Sequence, residues 1–166
     1  MTDLTLRPLA AGEQRLFDSL PDPGLVGFAA FGDTSTAMWA DGQYRPEWCW
    51  VALRADVVVA RAAWWGGPDD DAPVALDWLD FSDADAATQL LQAAPFRVEY
   101  SLKLPPGWTA TAAVHEAATA RIGAAGSMSE AWTRMYVRAS ARMVWRPRPG
   151  RRWTTCTGCP ARASGG

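Results

Sequence analysis

The chain has 166 residues, of which 49% are apolar and 20% charged, a one-domain length that can bury about 70% of its unfolded surface. No apolar run approaches the ~20 residues of a membrane-spanning helix, the start "MTDLTLRPLAAGEQ" lacks a basic-then-apolar leader, and three cysteines are too few for a disulfide scaffold, so a cytoplasmic globular protein without membrane association is expected. The net charge of -2 hides an asymmetry: residues 1–100 carry 16 acidic and 6 basic side chains, residues 101–166 carry 2 and 10, and all the basic residues but Lys103 are arginine.

Taken in chain order, "DLTLRPL" (residues 3–9) alternates as a short strand with Leu4 and Leu6 on one face. "AGEQRLFDSL" places Leu16, Phe17 and Leu20 on one side of a helix that "PDPG" stops. Residues 25–41 are loosely amphipathic and predict a second short helix, and "GQYRPE" is a loop, because Pro46 biases its predecessor away from helix. "WCWVALRADVVVARAAWW" (48–65) holds two β-branched and aromatic runs around Arg54-Ala55-Asp56, a hairpin signal. Its second arm is apolar on both faces except at Arg61, as a strand covered on both sides would be. After the turn "GGPDDD", "VALDWLDF" (74–81) is another such strand, interrupted by Asp77.

Ser82 reads as the N-cap of a helix over roughly 83–93 with Leu90 and Leu91 inward. "FRVEYSLKL" (96–104) alternates apolar and polar, so one face of that strand is wet, and residues 110–125 form an alanine-rich helix. Beyond 128 the pattern blurs, with "RMVWRP" (142–147) a plausible last strand and 148–166 aperiodic. The order is β, α, α, β, β, β, α, β, α and a final β: an α/β protein with helices on both faces of its sheet.

Several stretches together carry a family likeness: "LTLRPLA", "LPDPGLVG", "QYRPEW", "WVALR", "VVARAAWWGGPDD", "PVALDWLDF", "RVEYSLKLPPGW" and "RMVWRPRPG". In them the chain resembles the N-terminal half of actinobacterial GNAT-family N-acetyltransferases over residues 4 to about 150. The resemblance implies a mixed, mostly antiparallel central sheet, and acetyl transfer from acetyl-CoA to a primary amine of a small molecule or peptide, without metal. It also implies a Q/R-x-x-G-x-G/A loop after the fourth strand, whose N–H groups hold the cofactor pyrophosphate. Here Phe81, Ser82, Asp83 and Ala84 occupy that place, no glycine follows before Gly107, and no Arg or Lys before Arg97.

Asp80, Asp83 and Asp85 crowd the same helix start. A pyrophosphate at ~5 Å would meet about 3 kcal/mol of repulsion per charge pair at an effective dielectric near 20, which outweighs the roughly 0.3–1 kcal/mol that a helix end offers a charge. The resemblance therefore implies a GNAT-like domain over 1–147 that is incomplete on its own. Its partner would be a missing C-terminal GNAT half or a second copy of the chain, and 148–166 would be a basic tail outside the fold, of the kind that out-of-frame translation of GC-rich DNA produces. For acetyl transfer the candidate bases are Asp77 or Glu99, with Tyr100 as proton donor to the leaving thiolate. Trp64 and Trp65, at a strand end, are candidates for the wall of an amine cleft, against core filling.

The remaining features each have a plain reading beside the chemical one. Asp77, mid-strand, needs a partner, and Arg61 on the neighbouring strand is the expected one. Cys156-x-x-Cys159 lacks the further ligands that zinc requires, since only Cys49, read as core, and His115 remain. His115 beside Glu116 reads as a surface histidine or a general base. Trp145 and Trp153 among arginines leave nucleic-acid binding open as an alternative, next to a non-catalytic GNAT-like binding module.

Overall fold

The computed structural model describes residues 3–32, 34–40, 42–126, 133–137 and 141–145, the last two segments as backbone strands only. Seven strands form one sheet in sequence order: β1 (Leu4–Pro8), β2 (Cys49–Arg54), β3 (Val57–Trp65), β4 (Ala75–Phe81), β5 (Glu99–Leu104), β6 (Thr133–Val137) and β7 (Ala141–Trp145). Pairing is antiparallel except for β4–β5 and β5–β6. Helices cover both faces. α3 (Ala84–Ala93) and α4 (Ala112–Ala125) lie over a core containing Ala60, Trp64, Leu76, Leu79, Tyr100 and Leu102. α1 (Gln14–Phe17) and α2 (Ser35–Ala40) lie over a second core built on Phe17, Phe28, Tyr44, Val51 and Trp78.

The β2–β3 hairpin turns on Ala55 and Asp56, both with positive φ (47° and 63°), the signature of a type I′ turn whose twist matches its strands. β3 is buried along most of its length, as its two-sided apolar pattern requires. Residues 25–41 do not form one helix: Gly27 and Gly32 both take positive φ and break the segment into a 3-10 turn at Ala29–Phe31 followed by α2. α1 is a single turn, and Leu20 is buried from the loop that follows it. β5 starts at Glu99 rather than 96, with Phe96 and Val98 packed on the core ahead of it. β6, at Thr133–Val137, falls where the sequence pattern is indistinct. Cys156, Cys159, Trp153 and the tail 148–166 lie outside the described residues, and among those described no helix is long and apolar enough to cross a membrane.

Candidate functional site

Asp77 sits at a β-bulge. Ala63 pairs with Trp78 and Trp64 with Leu76, so Asp77 is an extra residue opposite β3. Leu76 and Leu79 belong to the core under α3 and α4, whereas Trp78 belongs to the opposite one. The bulge thus turns two consecutive side chains, Asp77 and Trp78, to the same face, a device common beside binding sites. β4 pairs with β5 only through Ala75–Glu99 and Leu76–Tyr100. From Asp77 onward the two parallel strands diverge.

On that face a cleft of about 650 Å³ is lined by Asp77, by Ser101 and Lys103 of β5, by Gln43 and Trp65, and by Phe28 and Met38. The Tyr44 hydroxyl donates to Asp77 Oδ1 at 2.7 Å, and Trp65 Nε1 donates to Gln43 Oε1 at 2.6 Å. Lys103 Nζ lies 3.4 Å from the centre of the Phe28 ring, which itself stacks on Trp78 at 5.4 Å. Burial pushes the Asp77 carboxyl up to about 7, while the Tyr44 hydrogen bond and the Lys103 charge restrain the rise. At the cleft wall, burial thus disfavours the ionised form of Asp77 and the Tyr44 hydrogen bond favours it.

The expected Asp77–Arg61 pair does not form, because the bulge changes which carboxylate faces Arg61. Arg61 is directly opposite Asp80 in the β3–β4 register and binds it through Nε at 3.1 Å and Nη2 at 3.0 Å. Trp78 Nε1 donates to the same oxygen of Asp80 at 2.6 Å. Arg121 of α4 completes the cluster, with Nη2 donating to Asp80 Oδ1 at 2.7 Å and Nε to the Leu79 carbonyl at 2.9 Å. Since α4 lies on the other face, Arg121 reaches Asp80 through the opening between β4 and β5.

The 20–28 segment crosses there too. Leu20 and Phe28 are in one core and Val26, fully buried, is in the other, while the Gly27 N–H donates to the Lys103 carbonyl at 2.8 Å. The divergence between the strands is filled by the chain itself.

The turn into α3 is committed in the same way. Ser82 and Asp83 N–H groups donate to the Val59 carbonyl at 2.9 and 3.3 Å, a residue bulged out of the β2–β3 register. Asp83, rather than Ser82, is the N-cap: its Oδ1 accepts from the Ala86 N–H at 2.9 Å, and its Oδ2 pairs with Arg54 Nη2 at 2.9 Å. These bonds hold the Asp83 carboxyl below its usual range, the Ala86 N–H contributing most. Asp80 points away into the arginine cluster, so Asp83 and Asp85 alone bring acidity to the helix start. N–H groups already bonded, a capping carboxylate and no glycine do not fit a pyrophosphate.

The three sequence candidates for acid–base roles are not brought together. Asp77 lines the cleft; Glu99 begins β5, two residues before Ser101. Tyr100 is 1% exposed in the core under α3 and α4, where burial raises its hydroxyl pKa. Trp65 lines the cleft as expected, but Trp64 is wholly core, because adjacent strand residues face opposite sides. Cys49 is a buried core residue, and His115 is exposed with its ring stacked on Trp108 at 5.5 Å. Among the described residues no cluster of histidine, cysteine and carboxylate side chains could hold a metal ion. Tyr44, Lys103 and the Asp80–Arg61–Arg121 cluster are not legible in the sequence as site residues, although a second mid-strand aspartate at Asp80 is a visible signal. Compared with known proteins, the chain matches no family model, no curated protein and no solved structure.

Proposed function

We propose that this chain is a GNAT-like amine-binding domain, which holds a primary amine in the Asp77 cleft and does not perform acetyl transfer unaided. The element order and the mixed sheet, with helices on both faces, support the GNAT-like reading. The observation that carries the binding role is Asp77 itself: a bulged strand residue held by Tyr44 at the wall of a 650 Å³ cleft with an aromatic lining. A ligand ammonium sharing that carboxylate with the Tyr44 hydroxyl replaces the solvation that burial removes, and stabilises the ionised form.

Acetyl transfer on this scaffold requires acetyl-CoA to be held elsewhere, by a second GNAT-like half or another copy of the chain, because the β4–α3 turn is committed to its own cap. The test is calorimetric titration of the purified chain at pH 8 with small aromatic and aliphatic primary amines, and separately with acetyl-CoA. Amine binding that is lost in Asp77→Asn, with no heat from acetyl-CoA, is expected. Micromolar binding of acetyl-CoA would replace this reading with a self-contained acetyltransferase, and no heat from any amine would remove the binding role.

A further inference from the structure

The Asp77 carboxyl is held from behind the cleft wall. Tyr44 is 2% exposed and belongs to the core under α1 and α2, not to the lining of the cleft, yet its hydroxyl donates to Asp77 Oδ1 at 2.7 Å. The phenol is fixed both by its ring and by its backbone. The ring meets Trp39 at 5.8 Å and Trp78 at 6.5 Å, edge-on to each. The Tyr44 and Gln43 N–H groups donate to the Met38 carbonyl at 3.3 and 3.1 Å, and the Gly66 N–H donates to the Gln43 carbonyl at 3.4 Å. Met38 and Gln43 line the cleft, so the turn that shapes the wall also sets the phenol behind it. No side chain among the described residues donates to Asp77 Oδ2.

We infer that Tyr44 is the positioning residue of the cleft: it grips the Asp77 carboxylate by one oxygen, holds it in its ionised form and leaves the other oxygen to receive a ligand ammonium. This rests on the amine-binding reading above and deepens it. A donor bonded to a carboxylate favours the ionised form over the neutral acid, and such a bond is stronger than one between neutral groups. A donor already locked in place loses no freedom when the ligand arrives. The other groups that share a field with Asp77 are Lys103 on β5, whose charge favours the carboxylate, and Cys49 on β2 and Tyr100 on β5, whose own ionisation burial and Asp77 both oppose. Asp80, felt at Tyr44 as well, is engaged by Arg61 and Arg121.

The experiment uses the full chain with Tyr44→Phe, which keeps the ring between the two tryptophans and removes only the hydroxyl. The Asp77 carboxyl is titrated by carbon NMR, assigned with Asp77→Asn, and phenethylamine affinity is measured calorimetrically from pH 6 to pH 8.5. The Asp77 midpoint is expected to move up in Tyr44→Phe. Phenethylamine binding should weaken by roughly tenfold or more at pH 6 and by less at pH 8.5, where the carboxyl is ionised in both chains. Fluorotyrosine placed at position 44, a stronger donor of nearly the same size, should move the midpoint the other way. Circular dichroism and melting establish that both are folded. An unmoved midpoint in either, or a weakening equal at every pH, overturns the role of Tyr44 and leaves amine binding standing. Absence of phenethylamine binding by the wild type overturns both.

Discussion

Replacing Asp80 by alanine should be among the most damaging single changes available in this protein. The carboxylate is 5% exposed and receives four donors: Arg61 Nε and Nη2 at 3.1 and 3.0 Å, Arg121 Nη2 at 2.7 Å and Trp78 Nε1 at 2.6 Å. Arg61 also donates through Nη1 to the Phe17 carbonyl at 2.8 Å, so the cluster ties α1, β3, β4 and α4 together. Without Asp80 two buried guanidinium groups lose their closest anion, and among the described residues Arg61 is left with the Phe17 carbonyl and with the more distant Asp22 at 3.9 Å and Asp18 at 4.0 Å. Breaking a buried pair from one side costs about 3–5 kcal/mol, a large share of the ~5–15 kcal/mol that holds a domain folded. At roughly 2–4 °C per kcal/mol for a chain of this size, Tm falls by about 6–20 °C.

Arg121→Met is the informative companion, because it leaves Asp80 with Arg61 and Trp78. Its cost should be nearer ~1–3 kcal/mol, and adding it to Asp80→Ala should cost less than the sum, since the second change removes one of the stranded charges. Burial alone raises the Asp80 carboxyl, but Arg121 and Arg61 pull it below the usual range. Its stabilisation is therefore present above the unfolded value near ~3.9 and is lost as pH falls through the lower folded value. Differential scanning fluorimetry of the two single variants and the double, at pH 7, reads all three quantities. A Tm within ~3 °C of wild type for Asp80→Ala, or strict additivity of the pair, would refute the account of a charge cluster spanning the sheet.

Asp77 should behave in the opposite sense: its folded value of about 7 lies above the unfolded ~3.9, so its contribution is fully present below pH 4 and is lost as pH rises to 7. The loss is at most about 4 kcal/mol at 1.36 kcal/mol per pH unit, and Asp77→Asn, which still accepts from Tyr44, should gain on the wild type between pH 4.5 and 8; a widening deficit instead would contradict the buried-carboxyl account. At Gly66 an added Cβ would meet the Trp48 ring at 2.6 and 2.9 Å, and that ring is buried with Arg45 over it at 4.1 Å. Gly66→Ala should therefore cost about 1–3 kcal/mol in urea unfolding, against little change if Trp48 moves freely. In the β2–β3 turn Ala55→Asn with Asp56→Gly suits both positive φ values and should stabilise by about 0.5–1 kcal/mol; a loss of stability would mean the turn is not of type I′.

The hairpin, the two-sided burial of β3 and the helix after β4 are legible in the sequence because each rests on a local pattern: β-branched runs about a two-residue turn, an uninterrupted apolar strand, an acidic cap. The segment 25–41 misleads because its amphipathicity runs across glycines whose positive φ breaks the helix. Arg121 is hidden for a different reason. In a helix of alanines nothing local marks one arginine as buried; its role depends on the opening between β4 and β5, which only the three-dimensional arrangement creates.

The bulge at Asp77 joins these observations. In a regular strand Asp77 and Asp80, three residues apart, face opposite sides, and one of them would lie in the apolar core under α3 and α4. The extra residue brings both to one face, giving Asp80 to the arginines that lock the sheet and leaving Asp77 to the cleft with Tyr44. Opposite parity of two carboxylates in an apolar strand is a signal that the amino-acid pattern carries by itself: unless both are buried charges on opposite faces, the strand must be irregular between them. The same irregularity lies where the β4–β5 pairing ends at Leu76, so one inserted residue separates the aspartate of the arginine cluster from the one at the cleft wall. Filling the opening between β4 and β5 from within stabilises the domain, and it leaves Asp77 at the wall of the cleft with Tyr44.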